Sequence, residues 1–498
     1  MVARVFLPSL RRLQPPGGVI TAAWGLWAIV FGLLLIMGAI SLRTGLYIDE
    51  GTFLAIAKQM QRGEILYRDI GDNKMPLLYM LLVPVVRFFP ADILVARVFA
   101  WLCFAVATAL FHLLMKREFD RGQAFVLTLL WLAVAFGLDV VGVGLVSETV
   151  ILPFLMGFYL LFFEAKRRLW QDILLGVCGA VALGINQHAF FLVTPLLYAL
   201  VISRRRFAVI SGLLLVALPV AYYFFRYGVW GDFLAWTLRE PVQNVNKLSG
   251  IENLLYLIAA VFPLALLSLR LHRFRWMIFW LMPALAIGVM DVSFVKNSRK
   301  IIYLLPAVFY YAGLSSFVLR RMRLRFRGIL LTVFVLLALI AKIGYLDKMR
   351  ATGYVTLAGY ASYSPEPYVP QLDWLTTYKQ QKAVAQYLRE RGATEIHIFG
   401  HNTEFYYLSG AAPVTPVIHL WQPYVYRFYL DPAYFETVIL APLESRRPQF
   451  ILYNRNYGGI SFFKGMDAYL AANYRLAADF AGLEVYERID AARAAALE

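Results

Sequence analysis

Acidic residues are scarce in this chain: 31 aspartates and glutamates stand against 48 lysines and arginines in 498 residues, and charged residues of both signs make up only 16%. Cysteine is nearly absent. Cys103 and Cys178 both fall within long apolar runs, so no disulfide framework is available to the polar segments. No His-x-x-x-His, Cys-x-x-Cys or clustered acidic motif with metal-ligand spacing occurs, and the six histidines are scattered. A Gly-rich phosphate loop, an internal repeat and a low-complexity tract are also missing. These absences exclude a zinc enzyme, a P-loop nucleotide enzyme and a disulfide-stapled secreted module, and neither metal nor cofactor is expected.

Apolar sequence fills the space left by charge. Hydrophobic residues make up 60% of the chain and the mean hydropathy is +0.63, values of a polytopic membrane protein. The run from Val19 to Ser41 carries no charge and is long enough to cross about 30 Å of hydrocarbon. It starts too far in, and lacks the small-residue cleavage pattern, for a secretory signal. Further spans are predicted at 92–115, 122–138, 148–163, 171–185, 189–203, 207–226, 252–269, 275–291, 300–318 and 328–345, about eleven with the first.

Basic clusters set the orientation. Arg4, Arg11 and Arg12, then Lys116, Arg117 and Arg121, Lys166 to Arg168, Arg204 to Arg206, Arg270, Arg273 and Arg275, and Arg320 to Arg327 fall on alternate loops, opposed only by Glu118, Asp120 and Glu164. By the positive-inside rule those loops and the N-terminus are cytoplasmic. The formal charge of +17 therefore reports topology and contact with anionic membrane lipids, and no nucleic-acid partner is expected. The apolar stretch 75–89 is too short to span, and if it did span, every later basic cluster would land outside. It reads as a helix at the outer membrane surface, with Pro76 suited to its first turn. The outer loop 42–91 then holds two such helices, the other near 52–61.

Residues 1–345 thus form the transmembrane domain, and 346–490 a small soluble α/β domain outside the membrane. Within it, 372–391 reads as an amphipathic helix ending at Gly392, followed by the strand Glu395-Ile396-His397-Ile398-Phe399 and a second buried strand at 449–453. Residues 491–498 include Ala494-Ala495-Ala496-Leu497-Glu498, which reads as a cloning scar and carries no functional reading.

Polar chemistry gathers on the outer face. Tyr47-Ile48-Asp49-Glu50-Gly51 places two carboxylates just beyond the first span, in a loop running to Asp69-Ile70-Gly71-Asp72-Asn73-Lys74-Met75-Pro76. A carboxylate there can take a proton from an acceptor hydroxyl; Asp49 and Glu50 equally fit as first-turn acids of a helix starting near Gly51. Lys74 can hold a lipid-linked phosphate or snorkel to headgroups. Lys296, Arg299 and Lys300 form a basic cluster on the outside, against the positive-inside trend, which an anion would offset. Glu148 opens a span, where it can cap or serve a cavity, and His188 after Asn186-Gln187 is read first as a hydrogen-bonded polar residue.

The succession of a long first helix, Asp49-Glu50, 55–63, Tyr67, Lys74-Met75-Pro76-Leu77 and Arg97 resembles the first outer loop of GT-C glycosyltransferases. The pattern is similar to bacterial transferases of the protein O-mannosyltransferase and lipid A aminoarabinose transferase type. It continues through Glu148, 184–189 and Lys296-Asn297-Ser298-Arg299-Lys300 to Tyr303 and Pro306, covering roughly 20–320. The resemblance implies an α-helical GT-C membrane fold and an inverting transfer from a polyprenyl-phosphate sugar to a lipid, glycan or protein hydroxyl, at the outer face of a bacterial cytoplasmic membrane. It implies Asp49 as base with Glu50 beside it, Lys74, Lys296, Arg299 and Lys300 on phosphate, and Tyr67, Glu148, His188 and Tyr303 in the substrate cavity. The chain departs from the usual pattern in having Met75 where a proline is common, and Asn186-Gln187-His188 where many relatives place a lysine. A lipid-linked sugar flippase or transporter is the alternative, but it calls for polar or broken helices at mid-membrane, often in two related halves. A non-catalytic scaffold would not need acid, base and cations converging outside, and the O-antigen ligase type lacks the Asp-Glu first loop.

Overall fold

The structure, a computed structural model, describes residues 19–41, 45–46, 48–136, 144–164, 166–187, 189, 193–239, 378–400, 402–418, 436–454 and 464–489. Seven of its helices fall on predicted spans: α1 (Val19–Ser41), α4 (Ile93–Glu118), α5 (Arg121–Phe136), α6 (Ser147–Phe162), α7 (Leu169–Ile185), α8 (Val193–Ile202) and α9 (Arg206–Tyr227). The predicted spans 252–269, 275–291, 300–318 and 328–345 lie outside the described residues. Among the described helices, α4 and α9 are by themselves long and apolar enough to cross a membrane.

The faces of α4 show which solvent it is built for. Leu94, Val98, Leu102 and Val106 form an exposed apolar stripe, while Ala96, Ala100, Phe104, Ala107 and Phe111 are fully buried on the other side. A helix apolar on both faces is dissolved by hydrocarbon outside and by protein inside. Polar groups act as local glue between α4 and α5: His112 Nδ1 meets Thr128 Oγ1 at 2.9 Å, and the Trp131 indole donates to Thr108 Oγ1 at 3.1 Å. Glycine lets α7 and α9 touch, since a Cβ on Gly176 would lie 2.1 Å from the Val209 carbonyl oxygen and one on Gly212 2.0 Å from that of Ile173.

The helix ends sort into two groups. Arg117 pairs with Glu164 at 2.9 Å, Arg167 with Asp172 at 2.6 Å, and Arg205 reaches the Arg167 carbonyl at 3.3 Å, so three of the basic loops meet at one end. The opposite end carries α2 (Ile48–Arg62), the loop 63–75 and α3 (Pro76–Phe88). Pro76 occupies the first turn of α3, as the sequence reading has it, and α3 ends at Phe88. The chain then turns through α10 (Trp230–Leu234) and a π-helical turn, Ala235–Arg239.

The α/β part from residue 378 runs α11 (Tyr378–Glu390), β1 (Glu395–Phe399), α12 (Glu404–Ser409), β2 (Ala412–Pro413), the π-helical Glu436–Leu440, α13 (Ala441–Arg446), β3 (Phe450–Asn454), α14 (Lys464–Asn473), β4 (Tyr474–Phe480) and β5 (Leu483–Arg488). The sheet order is β2-β1-β3-β5-β4, with β1 parallel to β2 and β3, and β5 antiparallel to β3 and β4. The two-residue β4–β5 turn has both residues at positive φ, Ala481 at 51° and Gly482 at 88°, matching the twist of a hairpin. The predicted helix, strands and Gly392 stop fall where expected to within a residue or two where described, Gly392 at φ 65°.

Candidate active site at the start of α2

Residues 45–46 and 48–52, the latter carrying both acidic candidates, are held from two sides. From the membrane side, Arg97 of α4 donates to Glu50 Oε1 and to the Gly45 carbonyl, and the Leu145 amide donates to the same Glu50 oxygen. Both partners of that ion pair are buried, Glu50 completely and Arg97 at 3% exposure. A carboxylate so enclosed is stable only with its cation and amide in place. Glu50 therefore ties α2 to α4 and to the approach of α6.

From the other side comes the α/β part. The Gln381 side chain of α11 accepts from the Leu46 amide at 2.7 Å and donates to the Leu46 carbonyl at 2.8 Å, and Thr52 Oγ1 lies 2.9 Å from Thr403 Oγ1. Gly51 is required beneath α12, because a Cβ there would sit 2.5 Å from the Glu404 amide nitrogen. Asp49, half-buried, sits in the first turn of a helix clamped from both sides.

The loop 63–75 carries Tyr67, Asp72 and Lys74. Tyr67 stands at φ 74°, an unusual value for an aromatic residue. The turn around it is over-determined: Tyr67 N donates to Ile70 O at 2.8 Å, the Leu66 amide to the Tyr223 hydroxyl at 2.8 Å, and the Trp236 indole to Tyr67 O at 3.0 Å. Buried at 2% exposure, Tyr67 donates its hydroxyl to the Lys74 carbonyl at 2.7 Å. Burial, then the neighbouring Asp72 charge, hold that hydroxyl's pKa well above its ordinary value, so it stays a donor. What it does in this position is brace the backbone of Lys74.

Asp72 is the group that sequence reasoning passed over. It is 4% exposed and accepts from the Tyr79 hydroxyl of α3. Burial raises its pKa; the Lys74 charge and the Tyr79 hydrogen bond pull it back, and the negative charge of Asp49 adds to the rise. Asp72 thus couples electrostatically to both Lys74 and Asp49, and Lys74 is half-buried. The signal was the carboxylate two residues before Lys74, but its burial depends on Tyr79 and could not be read from spacing.

Glu148 lies in the first turn of α6, 6% exposed, and accepts from Ser147 Oγ at 2.9 Å, which in turn accepts from Asn186 Nδ2 at 2.9 Å. This relay joins α6 to the end of α7, next to Leu145 and hence to Glu50. Of the other candidates, His188, Lys296, Arg299, Lys300 and Tyr303 lie outside the described residues. Among the described residues no group of three or more His, Cys, Asp or Glu side chains is arranged to hold a metal ion.

No protein-family model matches the sequence, and no curated protein does. Solved structures do match. ArnT from Cupriavidus metallidurans bound to undecaprenyl phosphate aligns over 93% of this chain and 98% of its own, at 14% identity and a TM-score of 0.58. The apo state of ArnT aligns over 94% and 98%, at 15% identity and the same TM-score of 0.58. The likeness to an oligosaccharyltransferase from Archaeoglobus fulgidus is weaker, with a TM-score of 0.44 at 12% identity over 92% of this chain and 74% of that one. At such identities it is the path of the chain that is shared, and this chain has the fold of the ArnT structures.

Proposed function

We propose that this protein is an inverting glycosyltransferase that moves a sugar from a polyprenyl-phosphate donor to an acceptor hydroxyl at the outer face of a bacterial cytoplasmic membrane. The observation that carries the reading is the electrostatic coupling of Asp72 to both Asp49 and Lys74 at the end of the helical domain opposite the basic loops. The undecaprenyl phosphate held by the ArnT structure supports a donor of that class.

In this reading Asp49 accepts the proton of the acceptor hydroxyl as its oxygen attacks the anomeric carbon. The bond from that carbon to the phosphate oxygen breaks, the electron pair leaves with the polyprenyl phosphate, and attack from the opposite face inverts the centre. Lys74 stabilises the negative charge arriving on the leaving phosphate. Lys296, Arg299 and Lys300 are proposed to share that charge. Glu50, engaged by Arg97 and the Leu145 amide, keeps Asp49 in place, and Tyr67 does the same for Lys74. Because the polar groups converge at one end, transfer is favoured over transport.

The test is Asp49→Asn with a panel of labelled polyprenyl-phosphate sugars. Asn keeps the side chain's size and helix-start preference but cannot take the proton, so transfer falls about 10²–10⁴-fold with protein yield unchanged. Near-normal turnover in that variant would remove Asp49 as the base and leave Glu50 or Glu148 to be tried.

A further inference from the structure

α2 carries Asp49 in its first turn and Gln59 near its other end, about 15 Å further along the axis. Beside Gln59 the loop 63–75 and the α/β part enclose a cleft of about 310 Å³, lined by Gln59, Glu64, Arg68 and Asp69 on one side and by Thr415 and Arg446 on the other. That volume falls at the lower end of the range of small-molecule sites. Its walls are tied across: the Gly71 amide donates to the Pro416 carbonyl at 3.1 Å, and Arg62 donates to the Gly410 carbonyl. Gln59 is 1% exposed, and among the described residues its Nε2 has no hydrogen-bond partner. A buried amide donor left unpaired is costly, and an oxygen acceptor arriving in the cleft offsets that cost.

We propose that this cleft is a subsite for the neutral saccharide portion of an acceptor, an inference that rests on the sugar-transfer reading of the site at Asp49. Charge argues for neutrality. Arg68 and Arg446 are matched by Glu64 and Asp69, Arg68 pairs with Asp69 at 2.8 Å and Arg446 with Glu395, so the lining offers no net field to a phosphate or an acidic glycan. Shape argues for hydroxyls, because carboxylate, guanidinium and amide groups each present two parallel hydrogen-bonding positions that suit neighbouring hydroxyls.

The backbone argues against a peptide. Among the described strands β2 stands at the edge, yet it is two residues long, Pro413 and Pro416 have no N–H, and the Pro416 carbonyl is already taken by Gly71, so a peptide finds no ladder to extend there. Pro413 and Pro416 instead offer small apolar surfaces to the C–H face of a sugar ring. The separation from Asp49 calls for an acceptor more than one sugar ring long, its reacting hydroxyl at Asp49 and its remaining rings at Gln59.

Full-length protein in nanodiscs, titrated with mannotriose, maltotriose and chitotriose, with their octyl glycosides, and with an unglycosylated Ser/Thr-rich peptide, tests the site by saturation-transfer NMR. The expected result is binding of at least one trisaccharide, weakened about three- to tenfold by Gln59→Leu and, at an exposed position that cannot disturb the fold, by Glu64→Ala. A tighter octyl glycoside supports the site with a lipid-borne acceptor, and equal affinities support it with a free or protein-borne glycan. No trisaccharide binding, binding of the peptide alone, or affinities untouched by both variants overturns it. Saccharide binding in a protein that transfers from no polyprenyl-phosphate sugar would leave the cleft standing and remove the transferase reading. Transfer with an acceptor KM unmoved by Gln59→Leu would do the reverse.

Discussion

Glu50 and Arg97 form a fully enclosed ion pair between α2 and α4, next to an Asp49 that shares no such burial. Two adjacent carboxylates therefore carry opposite expectations. Glu50→Gln leaves the Arg97 guanidinium buried without its counter-charge and is expected to cost roughly 3–5 kcal/mol, seen as a lower Tm and poor yield. Asp49→Asn is expected to leave both unchanged. Equal Tm values for wild type and Glu50→Gln would show that the pair contributes nothing to the fold.

Lys74 is held through its backbone by the Tyr67 hydroxyl. Lys74→Ala is expected to weaken undecaprenyl phosphate binding by roughly 1.5–3 kcal/mol, the worth of a charge-assisted contact, and Tyr67→Phe by roughly 0.5–1.5 kcal/mol through loss of the brace. Binding measured on the purified variants checks the order. A Tyr67→Phe effect larger than that of Lys74→Ala would place the phosphate contact elsewhere.

Asp72 supplies a pH signature. Its folded pKa is raised from 3.8, chiefly by burial, so the folded chain holds this proton more tightly than the unfolded one. The stability it contributes is complete below the unfolded value and is lost as pH rises through the folded value. Asp72→Asn removes that dependence, so the Tm of the variant relative to wild type is expected to rise as pH is taken from acid to neutral. Parallel Tm–pH curves for the two proteins would contradict the assignment.

Gln381 grips both backbone groups of Leu46 from α11. Gln381→Met has nearly the same shape and no hydrogen bonds, which frees the segment carrying Asp49 without touching Lys74. The expected result is a several-fold lower kcat with an unchanged donor KM and a folded protein. A fall in donor affinity with kcat preserved would mean that the clamp serves the lipid and not the base.

Much of the architecture was legible because it is local. The uncharged run Val19–Ser41, Pro76 in the first turn of α3, the strand Glu395–Phe399 and the stop at Gly392 each follow from residues within one or two turns of each other. The alternation of basic loops likewise anticipated the meeting of Arg117, Glu164, Arg167 and Arg205 at one end.

The roles within the site were not legible in the same way. An acid in a helix's first turn is a cap, a base or half of an ion pair according to what packs opposite, and for Glu50 the partner stands 47 residues away. Gln381 lies 335 residues from Leu46, in a helix whose own pattern announces only an amphipathic surface. Asp72 was visible beside Lys74, but whether its carboxylate faces water or the Tyr79 hydroxyl depends on how α3 lies against α2. The apolar faces of the described helices and the turns that end them follow from the chain alone, since hydrophobicity and backbone preference act over a few residues. Tertiary structure alone decided which carboxylates are paired, buried or left for chemistry, because desolvation and charge pairing depend on neighbours that chain distance does not reveal.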